Sequence, residues 1–189
     1  MKNKQEVVKV YGLTNRLGKG RFAYFGDYDN VSLKSVKAEL KYLMQEFKVP
    51  YGCVLRTRAR HYHLILPCVF SAREIAGLHQ ISKSDLAHKY YWLRFGRNAL
   101  RITKKSEGER NKKLVYELCY SYYSERPIAK KLYSYLKLAY NIKGVNGAWF
   151  TLVPHKVEFV IYSLFDGVGR AYTNKFLSSN EFKYWLKGL

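Results

Sequence analysis

The sequence has 189 residues and is 48% hydrophobic, which suits a folded domain with its own core and excludes a chain that is disordered by composition. Lys and Arg number 34 against 14 Asp and Glu, so the formal net charge is +20 at pH 7. No apolar run approaches the roughly 20 residues that span a bilayer, and three widely spaced cysteines without a CxxC pair exclude a disulfide framework and a cysteine-based zinc site.

The positive charge is the strongest indication of the partner. Basic residues are spread along the whole chain and are interleaved with 18 tyrosines. Lys and Arg neutralise phosphates and aromatic rings stack on bases, so this composition favours nucleic acid. An anionic membrane is the rival polyanion, but no basic amphipathic helix with a clean lipid face is visible. Because no signal-peptide core follows the charged start, we expect a cytoplasmic protein without a membrane partner.

Strands and helices alternate in the first half of the chain. In chain order, the pattern predicts strands over 6–12 and 21–29, a helix over 33–47, strands over 51–58 and 61–67, helices over 71–81 and 86–95, and a strand over 99–103. The first helix rests on apolar residues that recur at three- and four-residue intervals from Leu33 to Phe47. The second helix opens on the capping box formed by Ser71 and Glu74.

The second half is predicted to be richer in helix. After a charged loop over 104–113, the pattern predicts helices over 114–123 and 128–140, short strands over 149–153 and 157–164, and an amphipathic helix from Ser179. We therefore predict an α+β fold with an RRM-like antiparallel or mixed sheet core, packed helices and an α-rich C-terminal part. Residues 1–105 would form the core that carries the candidate site, and residues 106–189 would complete the fold and contact nucleic acid.

Asp27 and Asp29 lie at the end of the apolar strand predicted over 21–29. Alternate residues of a strand share a face, so the two carboxylates would lie side by side. At about 6 Å they repel by roughly 3 kcal/mol at an effective dielectric constant near 20. In so basic a chain, this pair indicates a divalent cation. Asp-x-Asp-Asn is also good turn and helix-cap chemistry, so both interpretations stay open.

His61 and His63 also share one strand face, directly after three arginines that end with Arg60. Two imidazoles in this setting indicate an anion or metal site. Asp85 follows just before the helix predicted over 86–95, where it is either a further site acid or an N-cap. Arg101 lies on the last strand of this half with Lys104 just beyond it; alone, these would be solvated charges on an edge strand.

Together these residues form an ordered series that resembles the archaeo-eukaryotic primase superfamily, which includes the primase-polymerases of plasmids, viruses and repair pathways. The similarity covers roughly residues 20–105. Asp27 and Asp29 match the paired-acid motif, His63 matches the imidazole of the Ser-x-His motif, Asp85 matches the third acid, and Arg101 and Lys104 match the basic residues that follow it. The chain departs from the family in having His61 in place of Ser, in lacking a zinc-binding Cys/His cluster, and in its polar approach to Asp85 over 81–84.

The resemblance implies a DNA-dependent primase-polymerase that transfers nucleotides to a primer or an initiating nucleotide. In such an enzyme Asp27, Asp29 and Asp85 would hold two divalent ions, Mg²⁺ or Mn²⁺, and no zinc site is expected. The residues that would contact the nucleotide are His63, His61, Arg60, Arg101 and Lys104. The implied partners are single-stranded or primed DNA template and nucleoside triphosphates, with a helicase or other replication subunits.

Two other functions fit parts of the same pattern. His61-Tyr-His63 followed by Leu-Ile-Leu is similar to the signature of His-hydrophobe-His nickases, the Rep and relaxase proteins. There, two His bind one metal and a Tyr on a later helix attacks DNA. Tyr116 and Tyr120, on the helix predicted over 114–123, would be the nucleophile candidates. The third alternative is a non-catalytic, nucleic-acid-binding primase accessory subunit.

Overall fold

The structure is a computed structural model that describes residues 8–101, 112–145, 150–165 and 168–177. Its elements in chain order are β1 (Val8–Thr14), β2 (Arg16–Gly18), β3 (Arg21–Tyr28), α1 (Leu33–Glu46), β4 (Tyr51–Arg58), β5 (His61–Ser71), α2 (Ala72–Ile81), α3 (Leu86–Phe95), β6 (Ala99–Arg101), β7 (Lys113–Cys119), a 3-10 turn (Ser121–Tyr123), β8 (Ile128–Ala129), α4 (Lys130–Tyr140), β9 (Leu152–Val153), β10 (Val157–Phe165) and β11 (Val168–Leu177). Across these residues, no helix is long and apolar enough to cross a bilayer. Lys104 and the helix predicted from Ser179 lie outside the described residues.

The strands are arranged in two main sheets. The first has the order β11-β10-β1-β6 and the second has the order β2-β3-β5-β4-β7, with β8 and β9 attached beside β5. Neighbouring strands of both sheets run antiparallel, whereas β8 and β9 are parallel. Each sheet contains strands from both sides of residue 105, because β10 pairs with β1 and β7 pairs with β4.

The second sheet carries different layers on its two faces. On one face, the ring of Tyr24 lies 5.2 Å from that of His79 in α2, and the hydroxyl of Tyr28 donates to Glu39 in α1. Phe25, which lies between these two tyrosines on β3, points the other way, toward Leu13 of β1, Leu100 of β6 and Leu136 of α4. The predicted α+β class is confirmed, and β3, α1, β4, β5 and α2 follow one another as in an RRM-like core.

The helix predicted over 114–123 is wrong. Residues 113–119 form β7, which pairs with β4 along the edge of the second sheet, and only Ser121–Tyr123 form a short 3-10 turn. Apolar residues in this segment fit both a helical and an alternating spacing. The open edge of β4 decides between them, since its buried backbone groups need partners. With β11 also unpredicted, the described C-terminal part holds more strands than helices and is not α-rich.

Gly52 of β4 lies where α1 approaches the sheet most closely. A Cβ atom there would lie 2.7 Å from Cδ1 of Leu40 and 2.7 Å from Cδ2 of Leu66, both of which are fully buried. We therefore expect Gly52→Ala to lower the free energy of unfolding by about 2 kcal/mol. Gly77→Ala in α2 is the matched control, because its Cβ meets only Phe47 at 3.4 Å and Ala favours a helix by about 1 kcal/mol. Urea unfolding that gives both variants the same change would contradict this packing.

Asn15 joins the two sheets at the turn between β1 and β2. It is fully buried and its backbone N–H donates to the carbonyl of Asn98 at 2.9 Å, while its carbonyl accepts from the N–H of Ala23 at 2.8 Å. Its side chain repeats both links, since Nδ2 donates to the Ala23 carbonyl at 3.2 Å and Oδ1 accepts from the Asn98 N–H at 2.8 Å. One residue thus ties β3 of the second sheet to the segment that leads into β6 of the first.

Candidate functional site

Two side chains of β5 meet one from the end of β3 and one from the residue just beyond it, Asp29, on one face of the second sheet. Asp27 is the direct cross-strand partner of His63, and Nε2 of His63 lies 3.5 Å from Oδ1 of Asp27. Two residues further along each chain segment, Nδ1 of His61 is in contact with Oδ1 of Asp29. We call Asp27, Asp29, His61 and His63 the Asp-His cluster. The side-by-side placement of the two acids and of the two histidines follows from strand alternation.

The imidazoles of the Asp-His cluster are more deeply buried than its carboxylates. The side chains of His61 and His63 are 12% and 10% exposed, whereas those of Asp29 and Asp27 are 46% and 37% exposed. Burial, with nearby positive charges including Lys112, holds the pKa of His63 well below its usual value. His63 is therefore neutral at pH 7 and can donate or accept a hydrogen bond. The carboxylates face solvent and remain accessible to a cation.

Asp85 is both a helix cap and a neighbour of the Asp-His cluster. Its Oδ1 accepts from the N–H groups of Ala87 at 2.9 Å and His88 at 3.3 Å, which caps α3. Its own N–H donates to the carbonyl of Asp27 at 2.7 Å. Burial, followed by the negative charges of Asp29 and Asp85, raises the pKa of Asp27 to about 6. The structure thus places Asp85 beside Asp27, while the carboxylate of Asp85 is bonded to the start of α3.

A buried glutamate in α1 holds the segment that carries Asp85. Oε1 of Glu39 accepts from the hydroxyl of Tyr28 at 2.8 Å and from the N–H of Lys83 at 2.5 Å. Lys89 of α3 then reaches back to the carbonyl of Ser82. These contacts fix the polar link between α2 and α3. The segment before Asp85 is not a strand, and Asp85 reaches Asp27 because of these long-range contacts.

The outer edge of β3 is closed by single contacts and not by a long strand. β2 covers only its first two residues. Beyond them, Asn15 bonds to Ala23, Nε2 of His88 bonds to the carbonyl of Phe25 at 2.8 Å, and the N–H of Asp85 bonds to Asp27. Alternate residues of an antiparallel strand direct their backbone groups to the same side, which is why these odd-numbered positions share one edge.

Basic residues approach the Asp-His cluster from two sides. Arg60, in the turn between β4 and β5, donates to the carbonyl of Asn30 at 3.0 Å, which places it beside Asp29. Arg101 and Lys112 line, with His63, a cavity of about 10 Å³ between the sheets. The predicted Lys104 lies outside the described residues. Sequence reasoning missed Lys112, which the spacing did not distinguish from the other charges of the loop predicted over 104–113.

The two tyrosines proposed as nickase nucleophiles lie away from the histidines. Tyr116 pairs with Val54, and its ring receives Nζ of Lys37 from α1 at 4.7 Å, so it occupies the sheet face opposite His63. Tyr120 follows the end of β7, where its N–H donates to the carbonyl of Pro50 at 2.8 Å. The tyrosines of the described residues that line the cavity beside His63 are Tyr135 and Tyr140 of α4.

The donor set suits a hard divalent cation although it is not a closed cage. Within the described ranges, no group of three or more His, Cys, Asp or Glu side chains is already arranged around a common metal position. Mg²⁺ is usually held by one or two carboxylates together with substrate phosphates and water. Asp27 and Asp29, with Asp85 adjacent, provide such an open set. Burial is the main cause of the raised pKa of Asp27, and the negative charges of Asp29 and Asp85, which a cation would offset, add to it.

The raised pKa of Asp27 predicts a pH dependence of stability in the presence of a chelator. The folded chain binds this proton more tightly than the unfolded chain, so the free energy of unfolding falls as the pH rises from about 4 to about 6. Asp27→Asn removes this loss and should be more stable than the wild type at pH 7 but not at pH 4. Urea unfolding at pH 4 and pH 7 tests this expectation, with Glu46→Gln, a change of an exposed side chain on α1, as the control. The same gain at both pH values would contradict the assignment.

Comparisons of the chain with protein-family models, with curated proteins and with solved structures give no match. The resemblance to primases therefore stays a prediction that rests on the order in the sequence of Asp27, Asp29, His63, Asp85, Arg101 and Lys104.

Proposed function

We propose that this chain is a DNA-dependent nucleotidyltransferase of the primase-polymerase type, which adds nucleotides to a primer or to an initiating nucleotide. The observation that carries the proposal is the meeting of Asp27, Asp29 and Asp85 at the end of β3, with the neutral imidazole of His63 beside them. An open group of carboxylates suits metal ions that a nucleotide helps to bind. The order of Asp27, Asp29, His63 and Asp85 along the chain also resembles the order of the primase motifs.

Each residue of the site has a defined task in this proposal. Asp27 and Asp29 would hold Mg²⁺ or Mn²⁺, with the carboxylate of Asp85 as the third acid. When bound, the divalent ions supply positive charge that activates the attacking hydroxyl and stabilises the leaving pyrophosphate. His63 would donate a hydrogen bond to a phosphate oxygen, since its neutral imidazole carries one N–H.

The triphosphate would be bound by the basic residues around the Asp-His cluster. Arg60 lies beside Asp29, and Arg101 and Lys112 lie on the side of His63. Guanidinium and ammonium groups form short, charge-assisted hydrogen bonds with phosphate oxygens. The net charge of +20 would extend this attraction to the phosphates of a DNA template.

The nickase alternative is less well supported by the arrangement of tyrosines. Tyr116 and Tyr120 lie away from the histidines. Beside His63, the hydroxyl groups of Tyr135 and Tyr140 are 3.3 Å apart, and burial raises the pKa of both. A raised pKa disfavours the phenolate that would attack a phosphodiester.

Nucleotide incorporation is the direct test. The chain is incubated with single-stranded template, with and without a primer, and with labelled nucleoside triphosphates in Mg²⁺ or Mn²⁺. The proposal expects extended product that disappears when EDTA is added. Salt-sensitive DNA binding without any product would contradict it and favour the accessory role. A covalent protein–DNA adduct would contradict it and favour a nickase.

A further inference from the structure

Three tyrosine rings, of which Tyr122 is exposed and Tyr120 and Tyr123 are half-buried, form a group just after β7. The ring centroids of Tyr120 and Tyr122 are 5.2 Å apart, those of Tyr120 and Tyr123 are 5.6 Å apart, and those of Tyr122 and Tyr123 are 4.4 Å apart. Tyr122 is 64% exposed, although it is in contact with two other rings. We call these three residues the tyrosine platform. The ring of Tyr122 offers an aromatic surface to solvent and does not fill the core.

The backbone beneath the tyrosine platform is firmly held. The N–H of Tyr120 donates to the carbonyl of Pro50 at 2.8 Å, and the N–H of Tyr123 donates to the carbonyl of Tyr120 at 3.2 Å. Arg126 then anchors the end of the turn, with its guanidinium bonded to the carbonyls of Phe47 and Val69 and to Glu74. Rings on a fixed turn lose little freedom when they bind a flat ligand.

The tyrosine platform is distinct from the Asp-His cluster. Cys119, which precedes the platform, pairs with Tyr51 at the start of β4, whereas His61 pairs with Arg58 at its end. Seven residues of strand separate these points, which corresponds to about 23 Å at 3.3 Å per residue. A ligand that touches both places must therefore be a polymer.

The charge around the tyrosine platform selects the polymer. Residues 120–145, which begin at the tyrosine platform, contain five Lys and Arg against one Glu. The N–H of Lys143 donates to Glu117 of β7, two residues before Cys119, and Nζ of Lys137 lies 5.7 Å from the ring centroid of Tyr133, which is 5.7 Å from that of Tyr51. Aromatic rings on a basic surface fit a polyanion with stackable faces. We propose that the tyrosine platform is a binding site for single-stranded DNA, in which Tyr122 stacks on a base.

Fluorescence anisotropy with labelled oligothymidylate tests this site in the presence of EDTA, so that the outcome does not depend on nucleotide transfer. An oligonucleotide of about 20 residues is long enough to span the distance along β4. Tyr122→Ala should raise Kd about tenfold, whereas Tyr122→Phe should bind as the wild type does. The dependence of Kd on salt should keep the same slope in Tyr122→Ala, because no phosphate contact is lost.

The matched control is Tyr42→Ala, which removes a tyrosine of α1 that is 48% exposed and does not belong to the tyrosine platform. Its Kd should equal that of the wild type. A wild-type Kd in Tyr122→Ala would overturn the proposal, as would an equal loss in Tyr42→Ala. Equal affinity of the wild type for an abasic oligonucleotide of the same length would overturn it as well, because such a strand offers no base to stack on. If the wild type incorporates no nucleotide but Tyr122→Ala still weakens DNA binding, the result counts against the proposed activity and not against the tyrosine platform.

Discussion

Replacing Asp27 or Asp29 by Asn is expected to lower the rate of metal-dependent nucleotide incorporation about 1,000-fold. Each substitution keeps the shape of the side chain but removes a charged oxygen from the open end of the Asp-His cluster. Loss of one metal-binding carboxylate removes several kcal/mol of transition-state stabilisation, and each 1.36 kcal/mol corresponds to a factor of ten in rate. Single-turnover incorporation on a primed template measures the effect.

Two controls separate this loss from unfolding and from weaker DNA binding. Glu46→Gln removes one exposed negative charge at the end of α1 and should leave incorporation unchanged. DNA affinity in EDTA should not fall below the wild-type level in the Asp27 and Asp29 variants, since these acids repel phosphates. Retention of incorporation within tenfold by both variants would refute the assigned roles.

Asp85→Asn distinguishes the two roles of Asp85. Asn is as good an N-cap as Asp, so this variant keeps the start of α3 and its free energy of unfolding. It nevertheless removes the negative charge beside Asp27. Slower incorporation at unchanged stability would therefore assign Asp85 to the site, and a wild-type rate would leave it as a cap only.

Asn15→Leu is expected to lower the free energy of unfolding by about 3 kcal/mol. The substitution leaves the carbonyl of Ala23 and the N–H of Asn98 without their side-chain partner in a fully buried place. A buried polar group that loses its partner costs about 1–3 kcal/mol. Urea unfolding measures the change, and Gln45→Leu is the control, since it replaces an exposed amide on α1 and should stay within about 0.5 kcal/mol. A similarly small effect of Asn15→Leu would contradict the proposed junction between the sheets.

Local signals predicted the first half of the chain well because tertiary contacts agree with them there. Ser71 and Glu74 form both bonds of the predicted capping box, and Ser32 caps α1. The segment 113–119 is the opposite case. Its apolar spacing fits a helix as well as a strand, and only the open edge of β4, a feature of the folded sheet, selects the strand.

The part of the candidate site that follows from strand alternation could be predicted from the sequence. Alternation placed Asp27 and Asp29 on one face and His61 and His63 on one face. The pairing of Asp27 with His63 depends on the register between β3 and β5, which the pattern of single residues did not fix. The approach of Asp85 to Asp27 depends on the contact between Glu39 and the N–H of Lys83, in the link between α2 and α3. No spacing in the sequence encodes this contact.

The way in which the outer edge of β3 is closed has a dynamic consequence. A full neighbouring strand would exchange its amide protons only when the whole sheet opens, whereas the loop before α3 is attached to this edge by two bonds, from Asp85 and His88. Detaching it leaves the ladder between β3 and β5 intact but also breaks the bond from the N–H of Lys83 to Glu39 and exposes the buried Ser82 and Ser84. We therefore expect the amide of Asp85 to exchange its proton faster than the amides of β5 that pair with β3, but more slowly than those of an exposed loop.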